Sequence, residues 1–245
     1  MEQQIVNNPN SDAVADFYDE FAKKQVRTGL NLRHYLLFDQ IKKSGLKRNH
    51  DILEIGCGIG TFTKLLLGFV RKGGSVLGVD ISKTNISIAT KELGSTNANF
   101  MVSDMTDFKV DKQFDYIVML DVLEHIPMEQ HNELFKIFRV HLKENGTIFI
   151  NIPHHDYLDY VRKNEPEKLQ IIDQSLSTDL ILNSIYNNDL QIVNLNSHSI
   201  FNEECDYQRI VIQRKKNIAR VHRISKGRII LRKSILRVAA FLGNL

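Results

Sequence analysis

The sequence predicts an α/β fold organised around a mostly parallel β-sheet. Between about residues 51 and 151, short apolar runs alternate with longer runs in which apolar residues recur every three or four positions. Such alternation is typical of right-handed βαβ units. A glycine-rich segment follows the first apolar run, and acidic residues follow several of the others. Together these observations favour an open sheet whose ligand lies at the carboxyl ends of the strands.

The elements follow from the positions of the apolar runs and of the glycines between them. The predicted strands comprise roughly residues 51–55, 75–79, 99–102, 115–120 and 147–151. The predicted helices between them comprise roughly residues 61–71, 83–93 and 129–142. A further helix over about 175–187 and a closing pair of strands over about 191–198 and 207–213 complete the pattern.

The chain divides into three segments. Residues 1–44 contain two predicted helices, over 12–24 and 31–44. Residues 45–213 form the α/β core, and residues 214–245 form a basic tail.

Composition limits the cellular setting. The chain of 245 residues is 42% apolar, yet it has no apolar run long enough to span a membrane. Its N-terminus lacks the apolar core of a signal peptide. Two cysteines, Cys57 and Cys205, are too few for a disulfide framework. These features predict a cytoplasmic protein.

The net charge of +3 conceals an asymmetry. Residues 214–245 contain ten Lys or Arg and no Asp or Glu, which leaves 22 basic and 29 acidic residues in the rest of the chain. On a helical wheel, residues 228–242 place Ile230, Leu231, Ile235, Val238, Phe241 and Leu242 on one side and Arg228, Arg232, Lys233 and Arg237 on the other. A basic amphipathic helix favours peripheral binding to an anionic membrane surface. Binding to a partner protein or to RNA, or packing on the chain's own core, would suit it too.

The glycine-rich segment carries the first functional signal. Glu54 ends the first predicted strand, and Gly56, Gly58 and Gly60 follow at every second position. Glycines at such a strand-to-helix turn let the backbone approach a nucleotide-like ligand closely. Asp80 ends the next strand, where a carboxylate can accept hydrogen bonds from both hydroxyls of a ribose.

These motifs resemble those of the class I S-adenosylmethionine-dependent methyltransferases. Residues 54–60, Glu-Ile-Gly-Cys-Gly-Ile-Gly, are similar to the family's first motif, and residues 79–82, Val-Asp-Ile-Ser, to its second. Residues 103–105, Ser-Asp-Met, are similar to the third motif, which contacts adenine, and residues 115–126 to the fourth strand and the loop after it. The resemblance covers roughly residues 45–155.

The resemblance implies a Rossmann-like, seven-stranded, mostly parallel sheet with helices on both faces and an antiparallel last strand. It also implies that the helices of residues 1–44 form an N-terminal helical lid over the cofactor. It implies S-adenosylmethionine as the cofactor and a small-molecule or glycan hydroxyl as the acceptor, as in ubiquinone-biosynthesis and sugar O-methyltransferases. The implied cofactor-binding residues are Tyr18, Arg33, Glu54, Gly56, Gly58, Gly60, Asp80, Ile81, Asp104, Met105 and Leu120.

An aliphatic hydroxyl has to lose its proton when it attacks a methyl group, so the acceptor chemistry calls for a base. His125 follows the fourth strand, and an unperturbed histidine accepts a proton at neutral pH. We expect it to be the general base, oriented by Asp121 or Glu124. Three residues after the fifth strand are candidates for contacting the acceptor: His154, His155 and Tyr157.

Two other functions fit the motifs. Asp121, Glu124 and His125 resemble the metal-binding signature of the enzymes that methylate the 2′-oxygen at the 3′ end of small RNAs, although that family has glutamate at the first position. That similarity allows a metal-assisted RNA 2′-O-methyltransferase, whereas we predict no metal and no nucleic acid. The same fold without catalysis would be a cofactor-binding scaffold. The Asn/Asp-Pro-Pro-Tyr/Phe signature of DNA amino-methyltransferases does not follow the fourth strand, where Leu120, Asp121 and Val122 stand instead.

Overall fold

The computed structural model describes residues 28–71, 73–95, 97–105, 108–170, 172–216 and 223–241. The first predicted helix, residues 12–24, lies outside them. The described chain separates into two compact units, one ending at Lys215 and the other beginning at Lys216.

The first unit contains seven strands and six α-helices among its described residues. The strands are β1 (Asp51–Ile55), β2 (Ser75–Asp80), β3 (Ala98–Val102), β4 (Phe114–Leu120), β5 (Leu142–Pro153), β6 (Leu190–His198) and β7 (Tyr207–Arg214). The helices are α1 (Leu32–Lys43), α2 (Thr63–Phe69), α3 (Lys83–Leu93), α4 (His131–His141), α5 (His155–Asn164) and α6 (Thr178–Tyr186). Three single-turn 3-10 helices occupy Leu123–His125, Met128–Gln130 and Pro166–Lys168.

All seven strands form one sheet in the order β3-β2-β1-β4-β5-β7-β6. Neighbouring strands from β3 to β5 are parallel, while β7 is antiparallel to both β5 and β6. The prediction of a mostly parallel, seven-stranded, Rossmann-like sheet is therefore confirmed. Because the strand order reverses between β1 and β4, the carboxyl ends of these two strands flank the crevice where such sheets bind ligands.

Hydrophobic cores lie on both faces of the sheet. One face packs against α4 and α6 through Leu134, Phe135, Phe138, Ile181 and Ile185. The other packs against α1 and α2 through Leu37, Ile41 and Leu66. We call this second side the α1 face. It receives the side chains of Tyr116 and Val118 from β4, Phe149 from β5 and Val211 from β7.

Helix α1 begins one residue later than predicted, because Asn31 is its N-cap. The Asn31 side chain accepts a hydrogen bond from the backbone N–H of His34, and the His34 ring accepts one from the Asn31 backbone. Such a reciprocal capping box fixes the start of a helix. It therefore fixes where Arg33, in the first turn, projects.

The second unit contains helix α7 (Lys226–Phe241), which confirms the predicted helix in the tail. Its apolar side chains are exposed, from 52% at Ile229 to 92% at Phe241. Ile229 and Leu236 lie among the basic residues, so the separation of the two sides is less complete than the sequence analysis stated. None of the helices in the described segments is long and apolar enough to cross a membrane.

Candidate active site

The glycine segment forms a tight turn between β1 and α2 that a side chain would disrupt. Gly56, Gly58 and Gly60 have φ values of 69°, 54° and 82°. The Gly56 N–H donates to the carbonyl of Val79 at 2.8 Å, which ties the turn to β2. A Cβ atom at Gly56 would lie 2.2 Å from Cγ2 of Val122, which follows β4. The turn therefore brings bare backbone to the carboxyl end of the sheet, as a bound nucleoside requires.

Asp80, at the end of β2, is nearly buried and is held across this turn. One carboxylate oxygen accepts from the Gly58 N–H at 2.8 Å. The other accepts from the Ser82 N–H at 2.9 Å and from Nδ2 of Asn85 at 3.1 Å. These bonds fix the carboxylate at the strand end where the sequence analysis placed a ribose acceptor.

Glu54 is buried beneath the turn and is bonded to α2. The Thr63 hydroxyl donates to its carboxylate at 2.6 Å. Burial raises the pKa of Glu54 to about 8, against the lowering effect of the Thr63 bond. At neutral pH this acid therefore holds a proton in the ligand-free protein, which makes Glu54 a support of the turn more than a fixed negative charge.

The other implied cofactor residues have unequal settings. Asp104 is exposed after β3, and Ile81 and Leu120 are half-buried at the ends of β2 and β4. Met105 is 4% exposed and packs in the hydrophobic core, with φ 69°. Its side chain is therefore a core residue in this structure. Tyr18 lies outside the described residues.

Arg33 reaches from α1 to the end of β4 and forms an ion pair with Asp121. The resemblance placed Arg33 among the cofactor-binding residues, and in the structure its partner is a protein carboxylate. Asp121 has φ 54°, unusual for a residue with a side chain, and its N–H donates to the carbonyl of Asn151 at 2.9 Å. This geometry turns the chain from β4 into the loop that carries Glu124 and His125.

Glu124 and His125 form a buried titratable pair in the 3-10 turn after β4. His125 Nε2 lies 3.8 Å from Oε1 of Glu124, and its Nδ1 lies 3.2 Å from Oδ1 of Asp173. Nδ1 also contacts the carbonyl of Ile172. Asp121 is the third predicted member of this group, but its ion pair is with Arg33.

Burial alone would lower the pKa of His125, but the carboxylates of Glu124 and Asp173 outweigh it and raise the pKa to about 9. Burial raises the pKa of Glu124 to about 7, although His125 opposes this. At neutral pH the imidazole therefore carries a proton, which differs from the neutral histidine that the sequence analysis assumed. The pair as a unit gains or loses a proton near pH 7.

The residues after β5 lie at the same edge of the sheet. The rings of His154 and His155 stack with centroids 4.5 Å apart. The His154 N–H donates to the carbonyl of Asp206, and Tyr157 is half-buried in α5. Among the described residues, His154, His155 and Asp156 are the group whose possible metal-ligand atoms come within 4.8 Å of one another. Asp121, Glu124 and His125 do not form such a group there.

Sequence analysis missed several polar side chains near this edge. Asp173 contacts His125. Tyr207, at the start of β7, interacts electrostatically with Arg33 and Glu124. Asn151 is fully buried at the end of β5, and Arg209 is its partner on β7. The signal was the polar residue inside an apolar strand, as in Phe149-Ile-Asn-Ile-Pro153.

The comparisons agree with this geometry. A family model described as a methyltransferase domain matches residues 52–146, the span from β1 into β5. A malonyl-[acyl-carrier protein] O-methyltransferase of Ilyobacter polytropus is 28% identical over 164 residues, covering 65% of this chain and 58% of the relative. A ubiquinone biosynthesis O-methyltransferase of Coxiella burnetii is 26% identical over 154 residues, covering 62% of each. The chain thus spans about six tenths of the length of these relatives.

A solved structure shares the fold over a longer range. The magnesium protoporphyrin IX methyltransferase of Synechocystis, with bound S-adenosylhomocysteine, superposes with a TM-score of 0.64. The alignment covers 84% of this chain and all of the other, at 16% identity. The glycine turn, the strand order and the match lead to one conclusion: residues 52–146 form a methyltransferase domain, and the chain has the fold of the class I S-adenosylmethionine-dependent methyltransferases.

Proposed function

We propose that this chain transfers a methyl group from S-adenosylmethionine to an oxygen atom of a small-molecule or saccharide acceptor. The two relatives compared above are named O-methyltransferases, and their similarity extends over 164 and 154 residues. The proposal rests above all on the buried Glu124–His125 pair, which is suited to remove a proton from a hydroxyl.

The glycine turn and Asp80 suit the cofactor. Gly56 and Gly60 present backbone where a Cβ atom would collide, Gly58 between them has a positive φ, and Asp80 offers a fixed carboxylate to a ribose. When bound, S-adenosylmethionine supplies an electrophilic methyl group on a positively charged sulfur. The chain's task is then to hold the acceptor in line and to exclude water, which contributes about 7–11 kcal/mol in favourable cases.

The Glu124–His125 pair supplies the proton acceptor. With pKa values raised to about 7 and about 9, the pair near neutral pH exists partly with a single proton shared between the two side chains. In that state the proton lies on His125, so it passes to the Glu124 carboxylate as His125, the general base, takes up the acceptor's hydroxyl proton. Asp173 and the Ile172 carbonyl hold Nδ1, so these contacts orient the ring.

Label transfer tests the proposal. The protein and methyl-labelled S-adenosylmethionine are incubated with extracts of the source cells, with and without EDTA, and the lipid, glycan, small-metabolite, RNA and protein pools are separated. We expect label in small metabolites or glycans, unaffected by EDTA. His125→Gln should reduce it about 100-fold or more. His50→Gln is the matched control, because His50 lies just before β1 at the opposite edge of the sheet.

Other outcomes of the labelling experiment would indicate other functions. Label in RNA that is lost with EDTA would replace this proposal by metal-assisted 2′-O-methylation, with Asp121, Glu124 and His125 as ligands. Cofactor binding without label in any pool would favour a non-catalytic scaffold. Equal losses in the two histidine variants would remove the assigned role of His125.

We further propose that the tail binds an anionic membrane surface, so that the protein acts in the cytoplasm at the membrane periphery. Helix α7 exposes apolar side chains and carries Lys226, Arg228, Arg232, Lys233 and Arg237 without an acidic residue. Cosedimentation with phosphatidylserine-containing vesicles tests this. Truncation after Lys216, which preserves β7, should abolish cosedimentation. Cosedimentation that survives truncation, or that is equal on neutral vesicles, contradicts the proposal.

A further inference from the structure

A row of four residues crosses the sheet near the carboxyl ends of β4 and β5. Leu120 on β4 pairs with Asn151 on β5, Asn151 pairs with Arg209 on β7, and Arg209 pairs with Asn196 on β6. Asn151 and Arg209 occupy the same side as Phe149 and Val211, which is the α1 face. A face that is apolar further along these strands therefore becomes polar here.

Asn151 is the most unusual member of the row. Its side chain is fully buried, and among the described residues neither its amide nitrogen nor its amide oxygen has a hydrogen-bond partner. Buried polar groups nearly always have partners, because an unsatisfied one costs about 1–3 kcal/mol. The backbone of Asn151 is satisfied, since its carbonyl accepts from the Asp121 N–H. The unsatisfied group is the side chain alone.

Arg209 extends the same pattern. Its Nε is buried without a partner, while its Nη2 donates to Oδ1 of Asn194 at 3.2 Å. None of the ion pairs between described residues includes Arg209. At the next position on this side of the strands, His198 pairs with Tyr207. Unpaired donors and acceptors thus meet on one side of β5 and β7.

This row lies next to the proposed site of methyl transfer. Asp121 connects Asn151 to the end of β4 by the backbone bond and is paired with Arg33. Val122, the next residue, packs against the bare backbone of Gly56 in the cofactor turn. Arg209 is partly exposed and Asn196 is exposed, so the row opens to solvent on the β6 side.

We propose that Asn151 and Arg209 bind the methyl acceptor and select one with two neighbouring oxygen substituents, at least one of them a hydroxyl. The inference rests on the proposed function. An amide offers one acceptor oxygen and one donor nitrogen, so it satisfies a hydroxyl as donor and a second oxygen as acceptor. The guanidinium adds donors only, which suits the second oxygen. A vicinal pair of oxygens, from a saccharide or from a catechol, has this arrangement.

Asn151→Leu separates this role from a structural one. The apolar side chain has a similar size and removes two unsatisfied groups, so the ligand-free variant should melt about 2–4 °C higher than the wild type. Thr147→Val is the matched control on the same strand and face, because the Thr147 hydroxyl accepts from Nε2 of Gln213 at 3.2 Å. That variant loses a made hydrogen bond and should melt lower. Arg209→Met is a second variant that keeps the side-chain length.

Binding is measured on the full chain loaded with S-adenosylhomocysteine, by saturation-transfer NMR with catechol and methyl α-glucopyranoside. We expect one of the two to bind the wild type, which identifies the aromatic or the saccharide source. Binding should fall about tenfold or more in Asn151→Leu and Arg209→Met and stay unchanged in Thr147→Val. The affinity for S-adenosylhomocysteine should be equal in all four proteins.

Four results overturn the inference: a lower melting temperature for Asn151→Leu, unchanged probe binding in both variants, weaker S-adenosylhomocysteine binding in both, or no binding of either probe to the wild type. Failure of the proposed function has a different signature. In that case a probe binds in an Asn151-dependent manner, yet the wild type transfers no label to any pool of the extract.

Discussion

The two halves of the sheet satisfy their polar groups very differently. In the half formed by β3, β2 and β1, the Asp80 carboxylate accepts from Gly58, Ser82 and Asn85, and Glu54 accepts from Thr63. Among the described residues there, Asn85 Oδ1 is a buried side-chain atom without a partner. In the half formed by β4, β5, β7 and β6, described residues with such atoms are more numerous. They include Asp121, Glu124, Asn151, His155 and Arg209.

This difference matches two kinds of ligand: a cofactor that related enzymes share, and an acceptor that differs from one enzyme to another. The first half presents glycine backbone and a fixed carboxylate, which any member of the family needs for the same cofactor. The second half keeps unpaired polar atoms at a stability cost, which is reasonable where a ligand later supplies the partners. We therefore propose that the first half binds the cofactor and that the second binds the acceptor and takes its proton.

The largest effect should come from Glu124→Gln. The wild-type pair has to lose one proton before it accepts another, so kcat/KM should rise as the pH passes through about 7, the raised pKa of Glu124. Glutamine cannot take part in that titration or receive the proton from His125, so kcat should fall about 100-fold or more. Loss of the Glu124 charge also lowers the pKa of His125 from about 9, so any remaining rise should follow His125. A pH profile of labelled methyl transfer measures both. An unchanged kcat in Glu124→Gln would assign the titration to another group.

Asp80→Asn should have the next largest effect, confined to the first half. The amide nitrogen that replaces one carboxylate oxygen donates hydrogen bonds and cannot accept them. The affinity for S-adenosylhomocysteine should therefore fall about 100-fold, as measured by titration calorimetry. Asp115→Asn is the control, because Asp115 accepts from the Asp51 N–H at 2.9 Å near the amino ends of the strands. Equal losses in both variants would show a general effect of charge.

The sequence predicted the first half well, for physical reasons. The tight turn at Gly56 and Gly60 disfavours every residue with a side chain, so the need for glycine can be read directly from the sequence. A carboxylate at the end of β2 is equally fixed by strand position. The succession of strands and helices along the chain followed from short apolar runs that alternate with runs of helical period, since each buried strand needs a helix to cover it.

The second half was not predictable to the same degree. The pairing of Arg33 with Asp121 and the contact of Asp173 with His125 join residues far apart in the chain. No local pattern encodes them. The pKa of His125 depends on burial and on two carboxylates at once, so a histidine taken in isolation gave the wrong protonation state. The partners of Asn151 on neighbouring strands required the register of the sheet.

Gly56→Ala tests whether the turn is as rigid as its geometry implies. The added methyl group would overlap Cγ2 of Val122 at a residue with φ 69°, and the two effects together should destabilise the protein by about 2–3 kcal/mol. Denaturant unfolding measures this. Gly68→Ala is the control, because Gly68 lies in α2 and has nothing within 4 Å of an added Cβ. It should be neutral or stabilising by about 0.5–1 kcal/mol.

Glu54→Gln should give the smallest effect, and its sign depends on pH. Because burial raises the folded-state pKa of Glu54 from 4.5 to about 8, the protonated form is the one that suits the fold. The contribution of this group to stability is fully present below the unfolded pKa and is lost as the pH rises through about 8. Glutamine resembles the protonated acid at every pH. The variant should therefore gain on the wild type by about 1–2 kcal/mol between pH 6 and pH 8.

Urea unfolding at several pH values measures this gain. Glu124 and His125 also have raised pKa values, so the stability of the wild type and of Glu54→Gln should both decline over the same range. Only the difference between the two proteins reports on Glu54. Glu133→Gln on the exposed side of α4 is the control, and its difference from the wild type should be flat. A flat difference for Glu54→Gln as well would mean that Glu54 stays ionised beneath the turn. The first half would then hold a second fixed negative charge beside Asp80, and its polarity would differ more sharply from that of the acceptor side.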